Sequence, residues 1–460
     1  MPSPAIPDAS ATASPDPAAS ARRIVDRDIL RLALPSLGAL IAQPLFVLTD
    51  SAFVAHVSTD ALAGLGLAST IVTTVVSLSV FLAYSTTAAV ARAFGAGRLR
   101  EAIARGVDAC WLAVLIGVGA AVLLLTLGGP ILQLFGPSPA VLEQASIYLY
   151  ISAFGLPGML VAQAATGLVR GLQNARTPLV VALAGAIANV PLNALLIFGL
   201  GWGIAGSAAG TIVCETGMTL ALLVVVVRGA RAQGVGLAPQ LRSVASTGRE
   251  ATPMFVRTLS LRIVMLTATL LATRLGAVQL AAHQLTLTVF TLFSLALDAL
   301  AIAGQALAGR HLGAADAPAV RAVTSRLIRW GVGGGFVTGA LVLLVSYLAP
   351  ALFTPDPAVQ ENLRVALWVL MVAQPVAGYV FVLDGVLMGA GDAPYLAKAG
   401  IVTMLVVLPV AGIVAASHLT GQAALAAVWA TCMLLFLVAR AVTLGLRVRT
   451  DAWMRLGAAR

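Results

Sequence analysis

The chain consists of two related halves. When the 460-residue sequence is shifted by 218 residues, it aligns with itself without a gap, and five prolines fall on prolines. These pairs are Pro35/Pro253, Pro137/Pro355, Pro139/Pro357, Pro157/Pro375 and Pro191/Pro409. Only about 0.5 such coincidences are expected by chance, so the offset indicates an internal duplication. The fold must therefore contain one structural unit twice.

The composition places both units in a lipid bilayer. Hydrophobic residues make up 60% of the chain, charged residues only 10%, and the mean hydropathy is +0.98. Apolar runs of about 20 residues or more recur, which is the length of a membrane-spanning helix. The predicted fold is all-α and integral to the membrane, with twelve transmembrane helices in two six-helix bundles. The predicted helices span about 29–57, 62–91, 106–130, 143–170, 177–201, 203–228, 250–274, 280–309, 323–349, 362–388, 395–416 and 421–446.

The net charge of +10 is distributed along one side of the predicted membrane topology. Arginines cluster before helix 1, between helices 2 and 3, between helices 4 and 5, between the halves, after helix 8 and at the C-terminus, whereas the opposite connections hold few. This positive-inside bias predicts cytoplasmic termini and argues against nucleic-acid binding. Six helices per half give both halves the same orientation, related by a pseudo-two-fold axis along the membrane normal. The predicted segments are a disordered cytoplasmic tail (1–24), an N-lobe (25–228), a cytoplasmic linker (229–249), a C-lobe (250–446) and a cytoplasmic C-terminal tail (447–460).

Nothing in the sequence indicates an enzyme. There is no phosphate-binding glycine loop, no HExxH zinc motif and no soluble insertion that could house catalysis. Cys110, Cys214 and Cys432 lie in apolar helices without metal-ligand spacing, so we interpret them as packing residues. We expect no cofactor.

Polar residues that occur in only one half are candidates for function, because the shared fold imposes its requirements on both halves. Asp50 aligns with Ala268, and Asn189 and Asn193 align with Val407 and Ala411. At 1.5 Å per residue, Asp50 lies about 10 Å below the outer boundary, Asn193 about 12 Å and Asn189 about 18 Å. Thr211 is predicted at about 12 Å.

These groups at similar depth predict a cation-coupling site. Pro191 frees a carbonyl beside the two amides. The oxygens could hold Na⁺, with Asp50 and Asn189 as its ligands, or they could tune Asp50 for a proton. The structural alternative is a hydrogen-bonded clamp between helices 1 and 5.

Other intramembrane polar residues are candidates for the substrate cavity. Asp298 and Glu215 could line it, because buried acids often mark a transport pathway. Gln284, next to His283 at the outer start of helix 8, could line the cavity or form local hydrogen bonds. Asp384, near the cytoplasmic end of helix 10, is predicted to be a solvated or capping group. Glycine pairs that occur in both halves, Gly95/Gly313, Gly167/Gly385 and Gly171/Gly389, are predicted to be structural.

The motifs together resemble the multidrug and toxic compound extrusion (MATE) transporters, in particular the DinF-like branch. The resemblance covers about residues 25–450 and rests on Pro35, Thr49-Asp50, Gly167 to Pro178, Asn189 through Gly206-Ser207-Ala208, Leu280-Ala281-Ala282-His283-Gln284 and Leu297-Asp298. It implies a V-shaped pair of bundles in the cell inner membrane and cation-coupled export of amphiphilic, often cationic compounds, with Asp50 as the main coupling residue and Asn189 and Thr211 as partners.

One departure from the family pattern bears on the coupling ion. Where this chain has Asn193, the family often has a second acid, and hard-cation sites with few ligands depend on carboxylates. Gln305 also stands where relatives carry an acid. These changes favour H⁺ over Na⁺.

Two other transporter classes remain as alternatives. A lipid-linked precursor flippase of the same superfamily would need a strongly cationic cavity, whereas the intramembrane charges noted above are acidic. A major-facilitator transporter also has parallel six-helix halves, but the segment from Arg92 to Arg100 lacks the Asp-Arg pattern expected there. We expect a monomer that handles small molecules in the lipid bilayer.

Overall fold

The computed structural model describes residues 17–348 and 350–457, which form helices joined by short connections and contain no strand. Eleven of the helices are long and apolar enough to cross a membrane, and a pair bent by 49° forms the twelfth span. The spans are α1 (Pro17–Ala55), α2 (Thr59–Gly95), α3 (Leu99–Gln133), α4 (Pro139–Ala153 with Leu156–Gly171), α5 (Arg176–Gly199), α6 (Gly203–Ala232), α7 (Leu241–Leu275), α8 (Ala277–Gly313), α9 (Ala317–Leu348), α10 (Pro357–Gly389), α11 (Ala393–Ala416) and α12 (Gly421–Arg449). This confirms the predicted all-helical, twelve-span fold.

Several helices are longer than their apolar windows predict. α1 already begins at Pro17, so the end of the predicted tail 1–24 is helical, while residues 1–16 lie outside the described residues. α6 continues to Ala232 and α7 starts at Leu241, which leaves only 233–240 of the predicted linker. Hydropathy marks the lipid-crossing part of a helix, whereas backbone hydrogen bonding continues beyond it into the polar zone.

The two halves use the same helix pairs. In the N-lobe, α4 packs on α2 and α3, and α1 packs on α5; in the C-lobe, α10 packs on α8 and α9, and α7 packs on α11. These contacts are related by the 218-residue offset, so the sequence repeat is a repeat of structure.

Glycines at equivalent positions allow these close helix crossings. A Cβ at Gly117 would lie 2.5 Å from Pro157 Cα, and a Cβ at Gly335 would lie 2.6 Å from Pro375 Cα. Gly167 likewise faces the backbone of α2, and Gly385 faces that of α8. Small residues permit such backbone approach in membrane bundles. The interpretation of Gly167 and Gly385 as structural is confirmed.

The lobes meet through α1 and α2 on one side and α7 and α8 on the other. At the arginine-rich end, Gly95 of α2 and Gly313 of α8 each face backbone atoms of the other helix. Arg92, in the last turn of α2, donates to carbonyl oxygens of the α10–α11 connection and of the C-terminal segment. Its acceptors are Ala390 O (2.6 Å), Arg455 O (2.5 Å) and Gly457 O (2.9 Å). A buried guanidinium therefore joins the lobes and holds the C-terminal segment.

Candidate functional site

The polar residues that are unique to the N-lobe form one buried cluster. Asp50 Oδ1 accepts a hydrogen bond from Asn193 Nδ2 (2.5 Å), and Asp50 Oδ2 accepts one from Thr211 Oγ1 (2.8 Å). Asn193 Nδ2 also donates to Asn189 Oδ1 (3.1 Å). Asp50 is 4% exposed, and both asparagines are fully buried. Three helices, α1, α5 and α6, thus converge on one carboxylate.

The backbone around the cluster explains how these groups meet. Asn189 and Asn193 are four residues apart, so they lie on the same face of α5. Pro191 stands between them, and α5 changes to a π-helical turn over Leu195–Gly199. On α6, Gly210 faces Asn193 Oδ1, and a side chain there would clash with the amide. Glycine at 210 therefore allows α6 to bring its threonine to the carboxylate.

The electrostatics of the cluster suit it for binding a cation. Among the described residues, no arginine, lysine or histidine nitrogen lies within 4.0 Å of the Asp50 carboxylate. A buried carboxylate without a counter-ion is costly unless a proton or a metal ion neutralises it. Asn193 Oδ1 is also buried without a hydrogen-bond donor. The site can accordingly take up one positive charge.

The equivalent place in the C-lobe is lined by apolar side chains and one histidine, His283, whose ring lies 5.5 Å from that of Trp429. Ala268, the counterpart of Asp50, lies beside Trp429, the counterpart of Thr211, and both line a small void. Val407 and Ala411, which replace the two asparagines, are buried. The indole fills the space that a polar cluster occupies in the other lobe, so the asymmetry in the sequence is an asymmetry in chemistry.

A cavity of about 530 Å³ opens beside the cluster. Asp50, Thr211 and Glu215 line it, together with tyrosine, glutamine and hydroxyl side chains of α1, α2 and α4. Two cations, Arg170 and Arg262, also line this cavity. The cavity therefore brings Glu215 next to the Asp50 cluster, and it carries charges of both signs.

The remaining predicted cavity residues lie elsewhere. Gln284 is exposed, and neither it nor Asp298 lines this cavity. Asp298 is influenced electrostatically by Arg257 and Arg170. The interpretation of Asp384 as a solvated or capping group is wrong: it is 5% exposed and forms ion pairs with Arg257 and, at 2.5 Å, with Arg440.

Comparison with known proteins identifies the family. The family model described as MatE matches residues 35–195 and 253–413. The chain belongs to the MATE family. The two matched segments begin at Pro35 and Pro253, so they are separated by the offset of the internal repeat.

Two MATE relatives and one solved structure show the extent of the similarity. DNA damage-inducible protein F of Escherichia coli (strain K12) is 32% identical over 215 residues, which are 46% of this chain and 46% of that protein. This chain therefore matches less than half the length of that relative. Protein DETOXIFICATION 44, chloroplastic, of Arabidopsis thaliana is 31% identical over 95% of this chain and 85% of its own length. A crystal structure of MATE in the bent conformation has a TM-score of 0.84 at 21% identity, covering 94% of this chain and 97% of that chain.

Family membership settles the class of the protein. MATE proteins are multi-pass membrane transporters of small molecules and not enzymes, and the match excludes the major-facilitator alternative.

The structure also places in the membrane spans or at the cavity several residues that the sequence analysis missed. Arg257, Arg262 and Arg440 lie within membrane spans but were not recognised as intramembrane charges, and neither was Arg170, the last residue of the predicted helix 143–170. The signal was available, because arginine within an apolar span is as unusual as aspartate there. Tyr148, which lines the cavity beside Thr211, carried no signal that separates it from an ordinary core aromatic.

Proposed function

We propose that this MATE protein is a secondary antiporter that exports amphiphilic, cationic compounds in exchange for protons bound at Asp50. The observation that carries the proposal is the buried carboxylate, which has hydrogen-bond donors, no counter-ion among the described residues and a place on the cavity wall. One charged group thus borders both the ion cluster and the space available to a substrate.

Coupling follows from differential binding. A proton can shift the balance between outward- and inward-open states only by as much as its affinity differs between them. Neutralising Asp50 changes what the carboxylate can accept from Asn193 and Thr211, which belong to two other helices. Proton binding would therefore alter the packing of α1 against α5 and α6, and it would also change the charge that a cationic substrate meets.

The ligand set supports a proton rather than Na⁺. Both carboxylate oxygens of Asp50 accept from N–H or O–H donors, and the neighbouring side chains on α5 are neutral amides. Na⁺ requires several oxygen ligands, and the site offers one carboxylate to compensate its charge. A proton needs only one carboxylate oxygen.

The orientation of the protein in the membrane is inferred from the distribution of its arginines. The arginine-rich ends of the helices are proposed to face the cytoplasm, with both termini there, in the cytoplasmic (inner) membrane. The protein is proposed to act as a monomer, since each chain contains both lobes and a complete cluster.

The test is dye efflux from proteoliposomes, driven first by a pH gradient and then by a Na⁺ gradient. We expect the pH gradient to drive efflux and Asp50→Asn to abolish it while the protein still inserts and folds. Asp60→Asn, at an exposed acid near the start of α2, is the matched control and is expected to transport like the parent. Full proton-driven efflux by Asp50→Asn would refute the coupling role of this residue.

The flippase alternative is less well supported. A lipid-linked pyrophosphate would need a cavity dominated by cations, whereas two acids, Asp50 and Glu215, balance the two arginines of the cavity lining. This balance supports export of small molecules.

A further inference from the structure

The cavity beside Asp50 has an acidic part and a basic part. Asp50 lies close to the end of α1, and Glu215 lies within α6, whereas Arg170 is next to the last residue of α4, at the opposite side of the membrane. Arg262, on α7, also lines this cavity, and it is the one C-lobe residue that does so among the described residues. A substrate in this cavity therefore meets carboxylates near one end and guanidinium groups near the other.

Both guanidinium groups are available to a ligand. Among the described residues, no carboxylate lies within 4.0 Å of Arg170 or Arg262. The Nε of Arg170 is buried and has no hydrogen-bond partner. The nearby Arg257 and Arg440 differ, because both are paired with Asp384. Arg170 thus has an unused donor in a partly buried setting where unpaired charge is costly, and Arg262 presents an exposed guanidinium to the cavity.

The group of charged residues that includes Arg170 and Arg262 has a net positive charge. Four arginines (Arg170, Arg257, Arg262 and Arg440) and two aspartates (Asp298 and Asp384) make up this inner group, so its formal net charge is +2. Asp384 is already shared by two of the arginines, and Asp298 acts on Arg170 without forming an ion pair with it. An anionic group bound between Arg170 and Arg262 would reduce this excess charge.

The chemistry of the donors indicates which anion fits. Guanidinium presents a planar fork of N–H donors that matches the two oxygens of a carboxylate. Tyr84 also lines the cavity, and the charges of Arg170, Arg262 and Asp298 act on it, so its hydroxyl lies within the same group. The cavity volume of about 530 Å³ is in the range of pockets that hold drug-sized ligands.

We infer that this cavity selects zwitterionic amphiphiles, with the cationic group of the substrate towards Asp50 and Glu215 and its carboxylate bound by Arg170 and Arg262. The inference rests on the proposed export function and adds that a cationic group alone is not the preferred substrate. A carboxylate that is esterified would lose the charge that the two arginines recognise.

A matched pair of dyes tests this selectivity. Rhodamine 110 carries a free carboxylate on a cationic xanthene, and rhodamine 123 is its methyl ester. Fluorescence anisotropy with the detergent-solubilised full-length protein is expected to show about tenfold tighter binding of rhodamine 110, since a charge-assisted hydrogen-bonded pair is lost in the ester. Arg170→Gln and Arg262→Gln are each expected to remove most of this preference while rhodamine 123 affinity stays within about twofold. Arg274→Gln, at an exposed arginine near the end of α7, is the matched control.

The outcomes separate the inference from the proposed function. Equal affinity of the parent protein for the two dyes, or tighter binding of the ester, would overturn the inference whatever the variants do. An equal loss of both dyes in the Arg170 and Arg262 variants would also overturn it, because it would indicate a structural role. Efflux of the same dyes from liposomes tests transport independently, and a retained carboxylate preference without proton-driven efflux would count against the proposed function alone.

Discussion

The crossing of α9 and α10 depends on glycines, and the substitution Gly335→Ala tests how tightly the helices pack there. Gly331, Gly335 and Gly339 are four residues apart and face α10. A Cβ at 335 would lie 2.5 Å from Gln374 O and 2.6 Å from Pro375 Cα, and both of these atoms belong to the backbone. Backbone cannot rotate away as a side-chain end can, so the two helices must separate.

The size of the effect follows from these distances. Restoring an ordinary carbon contact of about 3.5 Å requires the helices to move apart by roughly 1 Å along this crossing. Overpacking of this kind costs about 1–3 kcal/mol. The better helix propensity of alanine offsets less than about 1 kcal/mol of this cost.

Unfolding in mixed micelles of dodecyl maltoside and sodium dodecyl sulfate measures the difference. We expect Gly335→Ala to unfold at a lower fraction of the denaturing detergent than the parent. Gly333→Ala is the control on the same helix: apart from neighbouring atoms of its own helix, no described atom lies within 4 Å of the added Cβ, so its stability is expected to be unchanged or slightly higher. If both variants unfold at the same detergent fraction as the parent, the argument for backbone contact at this crossing is wrong.

Two further substitutions test buried arginine contacts. Asp384→Asn leaves its two arginine partners without their shared anion and is expected to lower the free energy of unfolding by about 3–5 kcal/mol in the same assay. Asp451→Asn breaks an exposed ion pair and is expected to cost less than about 1 kcal/mol. Similar costs for the two substitutions would contradict the assigned burial of Asp384. Arg92→Ala removes one hydrogen bond to the C-lobe and two to the C-terminal segment, and it is expected to increase amide hydrogen exchange in residues 451–457. Unchanged exchange there would show that other contacts hold this segment.

More of the fold than of the candidate site could be predicted from the sequence. Helix number and lobe symmetry were predictable because apolar length and the proline offset are local or periodic signals. The Asp50 cluster could be anticipated because depth along a helix and comparison of the halves require no knowledge of packing. The environment of Asp384 could not, since its partner Arg257 is separated from it by 127 residues and by two intervening helices.

The basic part of the cavity was missed for a related reason. Arg170 is read from the sequence as a residue at the edge of a loop, and its position on a cavity wall depends on how α4 bends and how α7 approaches. Hydropathy does not report contacts between helices that are distant in sequence. The close packing of α9, in contrast, can be predicted, because small residues at intervals of four indicate a close helix contact.

The indole of Trp429 has a thermodynamic consequence for the proposed cycle. Because the C-lobe has Ala268 and Trp429 where the N-lobe has Asp50 and Thr211, the proposed cycle takes up one proton in each turnover, at Asp50. If one proton enters for each zwitterion of zero net charge that leaves, one positive charge crosses the membrane in each turnover, so the membrane voltage contributes to the driving force. The steepest substrate gradient that such a cycle can sustain is then set by the proton gradient and the voltage together, with a tenfold ratio for each ~1.4 kcal/mol.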